Sequence, residues 1–241
     1  GKLGINASAY NTDWQDRNLT KSVTTGQGDS GDTDVIFLTG VNQKHSGVEL
    51  ETNYMVNDML DLMFVASFGN WKFDGDANGN YQETEYNSEG QAIGYTTTEY
   101  AYALDGLYVG DMPQTSYVLG VTLKPIKDLR IQAIHKMYDK NYSDWSPSAR
   151  EFDGTNDDAD RAQVWEAPSY NRLDLHMSYK LPKVKDLDMM LTANIFNVLD
   201  EVYVQDAVDN SQYNGYGSKQ HLPHNAEVFL GTPRYANIGL S

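Results

Sequence analysis

A run of oxygen-bearing side chains from Asp74 to Glu85 has the residue types and spacing of a calcium-binding loop. It matches the pattern D-x-[DN]-x-[DN]-G-x5-E in full. Calcium prefers about six to eight oxygen ligands. Asp74, Asp76 and Asn78 would supply side-chain oxygens, Asn80 would supply its backbone carbonyl, and Glu85 would bind through both carboxylate oxygens. The alternative is an Asp/Asn/Gly turn made for solvation. No helical pattern flanks the stretch, so we predict an isolated calcium loop and no EF-hand domain.

Four aromatic residues in long polar segments are candidates for ligand contact: Tyr142, Trp145, Tyr213 and Tyr216. Such rings stack and form hydrogen bonds, which suits sugars, peptides and metal chelates. Catalysis has little support, because the chain lacks the motifs G-x-S-x-G, H-E-x-x-H and G-x-x-x-x-G-K-[ST]. We therefore predict a binding protein and no enzyme.

Composition narrows the class of protein. The chain has 241 residues with a formal net charge of −16, and it contains 17 Tyr and no Cys. The acidic balance argues against a nucleic-acid partner, since phosphate contacts need clusters of Lys and Arg. The absence of Cys excludes disulfides and cysteine-based metal sites. Aromatic-rich segments favour β structure over helix.

Apolar and polar residues alternate along much of the chain, as expected for strands with two different faces. In residues 2–11, Leu3 and Ile5 share one side with two alanines. In residues 170–181, Leu173, Leu175 and Met177 oppose a polar row. This alternation also suits a soluble antiparallel sheet with one wet face. The composition of the polar row, which contains cations, an acid and a His, favours a hydrated barrel interior, with the apolar row facing lipid.

Connections between the predicted strands alternate between long and short. Short turns are predicted near Val56, Pro125 and Pro182, and long ones begin near residues 18, 75, 143 and 206. An up-and-down sheet of about eight strands with its tight turns at one edge is the layout of an outer-membrane barrel. Aromatic residues near strand ends are predicted to form interfacial girdles, with ordinary cross-strand packing as the alternative: Tyr10, Trp14, Trp71, Phe73, Tyr138, Tyr142, Tyr170 and Tyr203.

Three motifs resemble those of one family, the TonB-dependent outer-membrane receptors. They are the stretch from His45 to Glu51, the run Asn194-Ile-Phe-Asn197 followed by Tyr203, and Gly231-x-Pro-Arg-Tyr235 before a final strand. The resemblance implies an all-β, antiparallel, up-and-down transmembrane β-barrel. Residues 1–241 would be the C-terminal portion, about eight strands of a 22-stranded barrel, with the plug domain and earlier strands lying outside this chain.

The resemblance also implies a function and partners. The parent protein would take up a bulky nutrient, such as a siderophore, glycan or peptide, across the outer membrane of a Gram-negative bacterium. Its partners would be outer-membrane lipid, the inner-membrane TonB energy-coupling complex, the nutrient ligand and, in some receptors, a surface lipoprotein. The sequence leaves two alternatives open: a self-contained eight-stranded adhesin or anchor, and a soluble β-sandwich that binds carbohydrate with calcium.

The calcium prediction is tested by isothermal titration of the full-length protein with millimolar Ca²⁺. We expect saturable heat in the wild type and its loss in Glu85→Gln, because the bidentate carboxylate contributes two of the oxygen ligands. Glu89→Gln, beyond the motif, is the matched control. No saturable heat in the wild type would contradict the prediction.

Overall fold

The alternating segments form long antiparallel strands, because residues two apart point to the same side of a strand. The computed structural model describes residues 2–25, 32–152, 159–183, 185–210 and 220–241. The one α-helix of this described part, α1, spans Pro147–Arg150, and a 3₁₀ turn spans Pro223–Asn225. No helix among the described residues is long and apolar enough to cross a membrane. The strands are β1 (Leu3–Thr25), β2 (Asp32–Asn57), β3 (Leu60–Phe73), β4 (Ala77–Tyr86), β5 (Ala92–Tyr102), β6 (Thr115–Leu123), β7 (Leu129–Asp139), β8 (Asn141–Tyr142), β9 (Glu151–Phe152), β10 (Glu166–Ala167), β11 (Tyr170–Lys180), β12 (Met190–Phe196), β13 (Val204–Val208), β14 (Glu227–Leu230) and β15 (Tyr235–Leu240).

Eight of these strands form one up-and-down sheet in the order β1-β2-β3-β6-β7-β11-β12-β15, each antiparallel to the next. The predicted strand count and topology are therefore confirmed. The hairpin of β4 and β5 joins the sheet through residues 36–39 of β2, beyond the end of β3.

Tight turns and long connections lie at opposite edges of the sheet, as predicted. The tight edge carries residues 58–59, 124–128 and 181–189. The other edge, called the long-loop edge here, carries residues 74–114 and the described parts of residues 140–169 and 197–234. Because every tight turn joins neighbouring antiparallel strands, all long segments fall on the same side of the sheet.

Two predicted boundaries were wrong. Residues 18–32 were expected to be a loop, yet β1 continues to Thr25 and β2 begins at Asp32, because backbone pairing extends along both strands. The long connection predicted to begin near residue 206 begins at residue 197 instead, directly after β12. This strand stops where Asn197 adopts φ 50° and its side chain exchanges hydrogen bonds with the Glu201 backbone at 2.9 and 3.0 Å.

The sheet has one apolar and one polar face. A single register row crosses all eight strands on the apolar face: Leu3, Tyr54, Leu62, Val121, Ala133, Leu175, Ile195 and Ala236. The residues of a neighbouring row, on the polar face, are Asp61, Thr122, Gln132, His176, Asn194 and Asn237. Leu3 is 54% exposed and Tyr54 41%, and no described element forms a second layer over the apolar face.

The hydrophobic core lies among the connections at the long-loop edge. It contains Leu38, Val41, Tyr102 and Leu104 with Trp145, all almost completely buried. Buried apolar surface stabilises folding by about 25 cal/mol per Å². The long connections therefore gain their order from packing against one another, whereas the apolar face of the sheet stays uncovered.

Two adjacent residues of β15 test the assignment of the faces. Ile238, 79% exposed, lies on the apolar face and Asn237 on the polar one. We expect Ile238→Arg to lower the free energy of unfolding of the full-length protein in lipid vesicles, by up to about 2–4 kcal/mol near the bilayer centre. Asn237→Arg is the control and should cost less than about 1 kcal/mol. Equal losses of unfolding free energy in the two variants, measured by urea unfolding, would contradict the assignment of the two faces.

Candidate ligand-contact site

Aromatic rings form a stacked ladder on the polar face where β1, β2 and β3 approach the long-loop edge. The ring centroids of Trp14 and His45 are 6.0 Å apart, and those of His45 and Trp71 are 5.4 Å apart, both pairs nearly parallel. The guanidinium of Arg17 lies 4.7 Å from the Trp14 ring centre. Trp14 is 46% exposed and the other two rings are half-buried. We call these four residues the aromatic ladder.

Small residues and a break in register position the ladder. A Cβ on Gly69 would come 2.8 Å from the Trp71 ring, so glycine allows this ring to lie flat against the sheet. The β1–β2 register shifts between Trp14 and Arg17, where Asp16 adopts φ 52° and its N–H donates to Asn42 Oδ1 at 2.8 Å. A shift of this kind re-aims side chains, and it brings Arg17 over Trp14.

Polar contacts hold the ladder in place. The Trp71 indole N–H donates to the hydroxyl of Tyr10 at 2.8 Å. Arg17 donates to Gln43 Oε1 at 2.7 Å, and His45 Nε2 lies 3.1 Å from the same oxygen. Exposed rings with a cation at one end can stack on planar groups, sugars and aromatic side chains, and can bind anions.

The predicted interfacial girdle was wrong for most of its members. Tyr10, Trp14 and Trp71 lie on the polar face with the ladder, and Tyr138 and Tyr170 share that face farther along the sheet. Parity explains the error, because Trp71 is an odd number of residues from the apolar Phe68 and therefore points the opposite way. Strict counting would have placed these rings on the polar face from the sequence.

A second aromatic stack orders the last long connection. Tyr203 stacks on Tyr170 at 4.3 Å, and Tyr170 packs on Tyr138 at 5.0 Å. Tyr203 and Tyr170 are buried, at 4% and 9% exposed. These rings fix residues 197–203 against the sheet, and their burial makes the stack a structural support.

Asp174 anchors the same connection from the polar face. Its side chain is 1% exposed and accepts from Lys136 Nζ at 3.0 Å and from the Asn197 backbone N–H at 2.9 Å, with Arg172 3.6 Å away. A buried carboxylate is tolerated when it is paired and hydrogen-bonded. Asp174 therefore couples β7 and β11 to the start of the connection.

Two of the four predicted ligand-contact aromatics are buried in the loop core. Tyr142 is 7% exposed and stacks on Tyr108 at 4.1 Å, and Trp145 is 2% exposed and packs against Phe73 and Tyr102. Their rings support the connections and offer no open face to a ligand. Tyr213 and Tyr216 lie outside the described residues.

The structure separates the residues of the predicted calcium loop. Asn78, Asn80 and Glu85 lie in β4, which pairs with β5 throughout. Asp76 and Glu85 are nine residues apart on a largely extended chain, so they are about 25–30 Å apart at strand spacing. One ion therefore cannot bind both residues in this conformation, although the full pattern predicts that it does.

Cationic side chains already contact the two aspartates. Lys44 lies 2.7 Å from Asp74, and Arg161 binds both oxygens of Asp76 at 3.0 and 2.7 Å. The Arg161 guanidinium, with two backbone N–H donors, holds the pKa of Asp76 below its ordinary value. No group of three potential metal ligands occurs in the part of the chain that the structure describes. Calcium binding by this stretch stays a prediction and would require β4 to unpair.

Comparison with protein families identifies the fold. The family model described as "TonB dependent receptor-like, beta-barrel" matches residues 1–198. The chain belongs to this family. The eight-stranded sheet, its edges and its two faces are therefore part of a TonB-dependent receptor barrel. Comparison with curated proteins gave no match.

Comparison with solved structures gives a siderophore receptor and two forms of a ferric-catecholate import receptor. The siderophore receptor PiuA from Acinetobacter baumannii is 16% identical, with a TM-score of 0.49 over 98% of this chain and 33% of that one. The ferric-catecholate import receptor Fiu from E. coli K12 is 12% identical in its open form, with a TM-score of 0.35 over 99% of this chain and 38% of that one. The closed form of Fiu is 13% identical, with a TM-score of 0.36 over 99% of this chain and 42% of that one. The chain thus spans between 33% and 42% of these receptors.

The Asp174 anchor yields a testable stability prediction for the receptor. Asp174→Ala leaves Lys136 and Arg172 without their carboxylate and the Asn197 N–H without its acceptor. We expect a loss of about 3 kcal/mol in the free energy of unfolding and faster amide exchange in residues 197–203. Ser178→Ala, on the same face of β11, is the control and should cost less than about 1 kcal/mol. Unchanged exchange in Asp174→Ala would show that the anchor does not order the connection.

Proposed function

We propose that this chain is the C-terminal part of an outer-membrane transporter that takes up a bulky nutrient by TonB-dependent active transport in a Gram-negative bacterium. The uncovered apolar face carries this proposal. A row of apolar residues crosses all eight strands and none of them is buried, with Val121 39% and Ile195 38% exposed. Hydrocarbon is the solvent that such a face suits.

The opposite face supports a role in ligand contact. The aromatic ladder lies on the wall that lines the barrel interior, close to the long-loop edge. A siderophore, a glycan or a peptide would each offer groups that stack on Trp14 and Trp71, while Arg17 adds a positive charge. We propose the ladder as a ligand-contact wall, in place of the buried Tyr142 and Trp145.

The remaining partners follow from the proposed transport. Outer-membrane lipid would surround the apolar face, and the TonB energy-coupling complex would act through a plug domain. A surface lipoprotein is a further partner in this proposal, and a catalytic role is not part of it. Calcium at Asp74, Asp76, Asn78, Asn80 and Glu85 remains a separate proposal.

The two alternatives agree less well with the structure. A self-contained eight-stranded barrel requires β1 to pair with β15, whereas among the described strands β1 pairs with β2 and β15 with β12. A soluble β-sandwich requires a second sheet over the apolar face, and Leu3, Tyr54 and Leu62 are exposed there.

Transport is tested by uptake in cells that lack the full-length receptor and are complemented with variants. Labelled ferric siderophores, oligosaccharides and peptides are offered separately. We expect the wild type to restore uptake of one class, and Trp14→Ala/Trp71→Ala to weaken binding of that ligand about tenfold, since each aromatic contact contributes about 0.5–1.5 kcal/mol.

Tyr54→Ala is the matched control, because it removes an aromatic ring from the apolar face of the same sheet. It should leave ligand affinity unchanged when receptor levels are equal. Failure of the wild type to restore uptake of any class would contradict transport of these nutrients. Equal ligand affinity in the wild type and the double variant would contradict the proposal that the ladder contacts the ligand. It would leave the transport proposal standing.

A further inference from the structure

Four charged side chains form a buried cluster where two long connections meet. Arg150 and Asp209 have side chains that are 0% exposed, His221 is 7% exposed and Asp160 is 24% exposed. His221 Nδ1 lies 2.5 Å from Asp209 Oδ2, and its Nε2 lies 2.9 Å from Asp160 Oδ2. Both ring nitrogens therefore face carboxylates, an arrangement in which both donate when the imidazole is protonated.

The charges of the cluster balance only when His221 is protonated. Arg150 supplies one positive charge and lies 3.4 Å from Asp209 and 3.6 Å from Asp160. With neutral His221, two carboxylates share one cation in a largely buried space. With charged His221, two cations balance two carboxylates, and the two cations are also neighbours, since Arg150 Nη2 lies 3.1 Å from His221 Nδ1. The two carboxylates therefore favour the protonated imidazole, whereas burial by itself lowers the pKa of His221.

The cluster joins segments that are distant in the sequence. Arg150 and Asp160 belong to the connection from β7 to β11, whereas Asp209 and His221 belong to the one from β12 to β15. Arg150 also donates to the backbone carbonyls of Asp160 and Ala162 at 2.9 and 2.7 Å. His221 adopts φ 50°, which is uncommon for a residue other than glycine, so its contacts have to hold it there.

The joined connections lie at the same end of the sheet as the aromatic ladder. Lys21, on β1 beyond Trp14 and Arg17, forms an ion pair with Asp144 and lies 5.0 Å from the Trp145 ring centre. Backbone bonds at 2.8 Å link Asp144 to Ala207 and Asp209. Loosening one connection therefore affects the other and their contact with β1.

We propose that Arg150, Asp160, Asp209 and His221 form a protonation-dependent clasp, which holds the two connections together when His221 is charged and releases them when it is neutral. His221 is the titrating member. Asp160, Asp209 and Arg150 are the charged groups that face it. The clasp is a property of the connections and does not depend on the proposed transport. Where transport occurs, the clasp would control access to the aromatic ladder.

The direction of the pH effect follows from the contacts of His221. The hydrogen bond to Asp209, with that to Asp160, raises the pKa of His221 above its ordinary 6.5. A raised folded-state pKa makes the stabilisation fully present below about pH 6.5 and lost as the pH rises through the folded value. Each unit of elevation corresponds to about a tenfold change in the open population. The clasp is thus closed in mildly acidic medium and opens on the alkaline side.

Amide hydrogen exchange of the full-length receptor in detergent tests the clasp at about pH 6 and about pH 9, after correction for intrinsic exchange rates. The reporting segments are residues 143–152 and 204–210. In the wild type we expect protection at the higher pH to be lower by about tenfold or more. His221→Gln, which cannot titrate, should show low protection at both values. Peptides from β2 and β3 should not change in either protein.

His224→Gln is the matched control, because His224 is exposed and only three residues away. It should retain the wild-type difference. Asp160→Asn, at a partly exposed position, is a milder variant. It should reduce the difference in protection between the two pH values and lower the pH at which protection is lost. This variant serves as the test if His221→Gln does not fold. Equal protection at both pH values in the wild type would overturn the clasp. So would an unchanged pH difference in His221→Gln. Neither readout requires a ligand, so failure of the transport proposal leaves this test unaffected.

Discussion

Strand register is the constraint on which this structure depends. Side chains alternate between faces, so a slip of one residue in any strand would exchange its apolar and polar sets. The row from Leu3 through Leu62 and Leu175 to Ala236 is apolar across eight strands, while the row containing Gln132, His176 and Asn194 is polar. Two contrasting solvents, hydrocarbon on one side and water or protein on the other, would penalise every such slip.

The polar face reinforces this register with specific bonds. Gln132 donates to Thr122 at 3.1 Å, His176 Nδ1 lies 2.9 Å from Asn194 Oδ1, and Asn194 donates to Asn237 at 2.8 Å. Two separate sets of side-chain hydrogen bonds, one between β6 and β7 and one from β11 through β12 to β15, thus link neighbouring strands on this face. Ordinary packing is confined to the long-loop edge, where Leu38, Tyr102 and Trp145 are buried. The sheet provides a wall, and the connections provide the core.

Several parts of the fold were readable from residue patterns because they depend on short-range rules. Alternation predicted the faces of β1 and β11, and turn-forming residues predicted the tight edge. Boundaries were less accurate where side chains compete with the backbone. Asn197 ends β12 through its side-chain hydrogen bonds to the Glu201 backbone. The alternation of apolar and polar residues does not predict such a strand end. The polar-face position of the ladder rings was within reach of strict parity counting, whereas the clasp was not, because its members are up to 71 residues apart.

Alternation and turn spacing by themselves determined the class of the protein, an antiparallel sheet with one apolar and one polar face, and the resemblance of three motifs indicated a receptor barrel family. Alternation and turn spacing could do so because strand period and turn chemistry act between residues close in sequence. Tertiary structure alone decided which polar groups meet. The calcium pattern from Asp74 to Glu85 became a turn and a paired strand, since pairing β4 with β5 satisfies its backbone along the whole hairpin. Arg150 and His221 met because two long connections pack at one edge, and contacts between distant segments leave no periodic trace in the sequence.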